Sequence, residues 1–173
     1  MKHHLTALIV IARLTIGFIL LSTLISFIIS ATFIFNEKNE KVHHFAAGIF
    51  GSETPDDILY LGIYLSVYGL LLLYGALGAT RVFYCLLNIK NGGLFYENQA
   101  NEFKRAGNSL ILFAVLDYTL NCATDIFLFN DFTGFVTGLP VLLLLYLIGK
   151  SLLAANYIIQ KGETIKYEND LTI

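Results

Sequence analysis

Four long apolar stretches separated by polar breaks make up most of this chain, and their length decides what they are. Residues 14–35, 58–80, 106–128 and 135–159 are dominated by Leu, Ile, Phe, Val, Ala and Gly and contain few charges. A helix needs about 20 residues to cross a hydrocarbon core of ~30 Å, so each stretch is long enough for one span. A spanning segment must satisfy its backbone hydrogen bonds internally, and the two-residue alternation of membrane strands is absent. The pattern predicts an all-α membrane protein: one domain, residues 1–173, with four transmembrane helices in an antiparallel bundle.

The breaks carry structure of their own. Segment 36–57 is polar at both ends but contains Val42, Phe45, Ala46, Ile49 and Phe50, which predicts a short helix at the membrane interface ending at Gly51-Ser52. Thr54-Pro55-Asp56-Asp57 then reads as the start signal of the second span. Helical character continues past Arg81 to about Lys90, where Asn91-Gly92-Gly93 is a stop. Residues 94–105 read as a turn and an amphipathic lead-in to the third helix. The connection 129–134 is tight, which makes the third and fourth spans antiparallel neighbours. Pro140 falls at the start of the fourth helix, where proline is tolerated, and the tail 160–173 is polar.

Composition supports this class and charge orients it. Hydrophobic residues make up 56% of the 173-residue chain and charged ones 14%, outside the range of ordinary soluble domains. Nine of the eleven basic residues lie at the start, in segment 81–105 or from Lys150 onward; Lys38 and Lys41 are the other two. The excess of Lys and Arg on one side predicts that both termini are cytoplasmic. The first apolar stretch is too long for a secretory signal and ends at Asn36-Glu37-Lys38 without a small-residue cleavage site, so it reads as a retained span. A net charge of −2 without a basic cluster points away from direct nucleic acid binding. Cys85 and Cys122 fall at different depths, beyond disulfide reach, and read as free buried thiols.

Two stretches carry a family resemblance. Asn91-Gly92-Gly93-Leu94-Phe95-Tyr96-Glu97-Asn98 with Arg105-Ala106-Gly107, and the closing Glu168-Asn169-Asp170-Leu171-Thr172-Ile173, resemble the bacterial four-helix membrane proteins of domain of unknown function 2975. The resemblance follows the order of spans along the whole chain, and its specific part is these two motifs. It implies a location in the bacterial cytoplasmic membrane and a regulatory role, since genes of that family often stand beside a small helix-turn-helix regulator. Gly93, Phe95, Asn98, Leu171, Thr172 and Ile173 are then the residues expected to meet a cytoplasmic partner.

The chemistry within the spans centres on the third helix. Asp117, Asn121 and Asp125 are spaced four apart and share one stripe. Asp117 lies about 15 Å into the bilayer, where a carboxylate costs about 2.5–3.5 kcal/mol on insertion scales. It must be neutralised, paired or solvated there. Lys150 on the fourth helix is a candidate partner, or else snorkels to the interface. Asp125 sits near the outer end, within reach of water. Tyr64 and Tyr68 on the second helix stand at comparable height, and their hydroxyls are expected to seek Asn121 or Asp125. Such a seam is compatible with ion or proton binding and with interhelical hydrogen bonding alone.

Other features are packing signals. Thr15, Ser22, Ser26 and Ser30 give the first helix a hydroxyl face, and Gly62, Ser66, Gly69 and Ala76 give the second a small-residue face. Both favour close helix approach, within the bundle or in a homo-oligomer. The pairs His3-His4 and His43-His44 lack a third ligand at suitable spacing, so no metal site is expected. No nucleophile–base–acid set, zinc motif or phosphate loop is present, so neither catalysis nor a cofactor is expected. The sequence therefore favours a regulatory or accessory membrane protein with a cytoplasmic partner. The alternative is a small ion- or proton-coupled transporter or channel using the seam.

Overall fold

The computed structural model describes residues 2–50, 58–91 and 99–170. Among them there are four long helices, two short ones and no strand. The helices are α1 (Lys2–Phe35), α2 (Glu40–Phe50), α3 (Ile58–Lys90), α4 (Gln99–Phe129), α5 (Gly134–Thr137) and α6 (Leu139–Asp170). The four long ones are each apolar enough over a sufficient length to cross a membrane. Gly51, Ser52, the Thr54–Asp57 start signal and residues 92–98 and 171–173 lie outside the described residues.

Sequence neighbours are spatial neighbours, and each contact is antiparallel. The main interfaces are α1 with α3, α3 with α4, and α4 with α6. Small residues set the first. A Cβ on Gly62 would stand 2.8 Å from Ile34 Cγ1 and 3.3 Å from the Ser30 carbonyl oxygen, and one on Gly69 would meet the Phe27 ring at 3.1 Å. Ser30 donates its hydroxyl proton to the Gly62 carbonyl oxygen at 2.7 Å. Its one proton is then committed, so the Ser66 hydroxyl, 2.6 Å away, donates to Ser30. Ser30 on the hydroxyl face of α1 thus seats on the small face of α3, whereas Thr15 is exposed and turns its hydroxyl to the Ile11 carbonyl oxygen.

The α4–α6 contact follows the same rule. A Cβ on Gly107 would lie 2.8 Å from the Gly149 carbonyl oxygen, and one on Gly149 would lie 2.5 Å from Ile111 Cγ1. Both backbones approach as only glycine allows. Pro140 occupies the first turn of α6, where its missing N–H has no helical acceptor to serve. The polar tail continues this helix to Asp170, extending it well past residue 159.

At the end where α2 lies, the short helix packs onto the long ones. Val42 and Ala46 are buried in a cluster with Phe33, Ile58, Leu61 and Leu65. Phe50 stacks on Phe129, centroids 6.5 Å apart. Phe45 and His44 stay exposed, so the predicted interfacial helix is half core and half surface. Opposite, at the end carrying the termini, Cys85, Gln99, Ala100, Phe103 and Ala106 are buried and join α3 to the start of α4. Residues 99–105 of the lead-in to the third span are thus part of α4 itself.

Candidate functional site

The polar seam forms where α3 and α4 cross. Gly75 brings α4 close, since a Cβ there would stand 2.8 Å from the Phe113 ring. With the register fixed, Tyr64 faces Asn121 and donates its hydroxyl proton to Asn121 Oδ1 at 2.8 Å. Tyr68 stacks on Tyr64, centroids 5.9 Å apart and planes 21° from parallel. Asp117 lies one turn from Asn121, interacts with that side chain, and is a charge neighbour of both tyrosines. Tyr64, Tyr68, Asp117 and Asn121 are each partly buried and make one cluster.

Asp125 has a different role. Its carboxylate packs against Gly134 in α5, where a Cβ would collide with Oδ2. Its backbone carbonyl accepts the Asp131 N–H at 2.9 Å, a return made possible by Asn130 in the left-handed region at φ 49°. Asp131 in turn accepts from the Thr133 N–H at 2.8 Å and the Thr133 hydroxyl at 2.7 Å. These bonds favour the ionised form and hold the Asp131 carboxyl below its usual range. Along the stripe seen in the sequence, Asp117 and Asn121 belong to the α3–α4 seam, and Asp125, also a charge neighbour of Tyr64, joins the seam to the α4–α5 corner. A cavity of about 400 Å³ beside that corner is lined by Ile49, Phe50, Asp125, Phe129 and Asp131.

Lys150 does not join the seam. It is exposed, with Nζ 5.3 Å from the centroid of the Tyr146 ring. Two geometric facts exclude the pairing with Asp117. Gly149 packs level with Gly107 and Ile111, and Ile111 is already about 9 Å along the helix from Asp117. Gly149 also faces α4, so the next residue is turned about 100° away from it. Among the described residues the ion pair with defined geometry is Arg105–Glu102, 3.5 Å apart on one helix face.

One cross-helix bond has no counterpart in the sequence reading. Arg81 donates from Nη1 to Ser109 Oγ at 2.8 Å. The α3–α4 packing brings the two together, because Gly78, three residues before Arg81, lies against Ser109, where a Cβ on the glycine would stand 3.2 Å from the Ser109 Cβ. Cys85 and Cys122 are both buried and free. Among the described residues no group of three or more His, Cys, Asp or Glu side chains is placed to hold a metal ion. His43 uses Nε2 in a 2.9 Å hydrogen bond with the Glu37 carbonyl oxygen. Gly93, Phe95, Asn98, Leu171, Thr172 and Ile173 lie outside the described residues.

Compared with family models, with curated proteins and with solved structures, the chain has no match.

Proposed function

We propose that this multi-pass membrane protein is a regulatory or accessory component of the bacterial cytoplasmic membrane, with both termini in the cytoplasm and a protein partner there. The observation that carries this reading is the length of the helices at the end where the termini lie. With 33, 31 and 32 residues, α3, α4 and α6 are each about 47–50 Å long, against a hydrocarbon core of ~30 Å. At the α2 end α3 and α4 stop together, and α6 starts about 16 Å deeper, where Gly138 packs on the Tyr118 ring, so the excess projects from the opposite face. The buried residues Cys85, Gln99, Ala100 and Phe103 give that projection a packed interior. A folded platform outside the bilayer suits a docking role. The segment resembling the family of domain of unknown function 2975 joins α3 to α4 there, and the resemblance points to a helix-turn-helix protein as the partner.

Photocrosslinking in native membranes tests this. A crosslinking residue at exposed Lys104 or Tyr157 is expected to capture a distinct protein, and one at exposed Phe132, near the other end, is not. Equal capture from all three positions, or none from Lys104 and Tyr157, would overturn the proposal.

A second reading, proton or ion binding by the seam, is favoured by one observation: Asp117 has no basic partner among the described residues, now that Lys150 is placed against Tyr146. It requires a proton or ion flux in reconstituted vesicles that Asp117→Asn abolishes. Absence of any flux removes it.

A further inference from the structure

At the end carrying the termini, α1 and α3 part around a cavity of about 340 Å³ lined by Arg13, Ile16, Thr80, Phe83 and Tyr84. Two helices set its depth independently. The rise from Arg13 to Phe35, and likewise from Ile58 to Thr80, is about 33 Å at ~1.5 Å per residue, close to the thickness of the hydrocarbon core. The cavity therefore stands at the level of the lipid phosphates.

Its chemistry is that of an anion site with an apolar floor. The Arg13 guanidinium carries five donors and no acceptor, and it makes no hydrogen bond or ion pair among the described residues. Arg81, one residue beyond Thr80, is already engaged by Ser109. Thr80 directs its hydroxyl to the Ala76 carbonyl at 2.7 Å and offers no free donor. Tyr84 also lines the cavity and is exposed, its ring edge-on to Phe83 with centroids 5.6 Å apart, and it brings a phenolic hydroxyl as a second donor. Among the described residues no carboxylate lines the cavity, so none of them would complement the ammonium of a zwitterionic headgroup.

We infer that the α1–α3 cleft binds the phosphate of an anionic phospholipid, with Arg13 and Tyr84 as donors and Ile16 and Phe83 against the glycerol and upper acyl chain. The geometry suits a planar guanidinium, which can hold two phosphate oxygens at once.

Native mass spectrometry of the full chain, released from bilayers of equal phosphatidylglycerol and phosphatidylcholine, tests the inference. The wild-type protein is expected to retain phosphatidylglycerol preferentially. Arg13→Gln should reduce that preference by about fivefold, the worth of one basic residue near an anionic surface. Tyr84→Phe should reduce it less, Arg13→Lys should keep part of it, and Arg105→Gln, which removes a charge elsewhere at the same end, should leave it intact. Equal retention of the two lipids, or an Arg13→Gln protein with wild-type preference, would overturn the inference. Should Arg13→Gln fail to fold, the Tyr84→Phe and Arg13→Lys series decides. Displacement of the lipid by millimolar inorganic phosphate or glycerol 3-phosphate would overturn the bilayer as the source.

Discussion

Tyr64 and Asn121, on different helices and 57 positions apart in the chain, are joined by a 2.8 Å hydrogen bond from phenol to amide oxygen. Interhelical bonds of this kind are worth about 0.6 kcal/mol on average and up to about 1.7. Tyr64→Phe and Asn121→Ala should each destabilise the protein by that order. A double-mutant cycle followed by thermal unfolding in detergent should show coupling. Strict additivity of the two changes would mean that the bond contributes nothing to the α3–α4 contact.

Glycines that look alike in the sequence should behave in opposite ways. Gly149→Ala places a Cβ 2.5 Å from Ile111 Cγ1 and 3.0 Å from the Gly107 carbonyl oxygen, and should cost about 1–3 kcal/mol as α6 is pushed off α4. Gly17→Ala meets nothing within 4 Å and should be neutral or up to about 1 kcal/mol stabilising, because alanine loses less freedom in a helix. Melting temperatures of the two variants, measured side by side, check the contrast.

The α4–α5 corner predicts a suppressor. Gly134→Ala drives a methyl into the Asp125 carboxylate and should lower stability, whereas Asp125→Ala removes both the Oδ2 and the Cγ that it meets. The double variant should recover part of the loss. If Gly134→Ala is equally harmful with and without the Asp125 side chain, the collision is not its cause.

Asp131 predicts a pH dependence with a defined sign. Its carboxyl is held below the ordinary range by the Thr133 hydroxyl and N–H, so its contribution is complete above the unfolded value of about 3.9 and disappears as pH falls through the folded value. Thr133→Val should move the Asp131 titration upward. Carbon-detected NMR of the Asp131 carboxyl in micelles reads that shift directly, and an unmoved titration would sink the assignment.

Much of the architecture is legible without coordinates, because it rests on local physics. Hydrophobic length marks four spans, the brief 129–134 connection pairs the last two, and the apolar positions of Val42 and Ala46 indicate a helix in the first connection. Which polar groups meet is another matter. The sequence places Tyr64, Asn121 and Asp125 at similar heights and leaves Asn121 and Asp125 as rival acceptors. The structure gives Tyr64 to Asn121 and turns Asp125 to Gly134. It likewise separates Lys150 from Asp117, two residues that a depth estimate alone brings within reach.

Backbone hydrogen bonding and burial in lipid act on each segment by itself, so the sequence determined that this chain is all-helical and where its four long apolar stretches lie, though not the full length of α1 and α6 or the short α5. Only the tertiary structure decided the rotation and sliding of each helix against its neighbour. Those are set by the close approaches at Gly62, Gly75, Gly107 and Gly149, where the absence of a side chain on one helix lets a specific group on the next one seat. A rotation of a single residue, about 100°, is enough to turn Lys150 out of the seam.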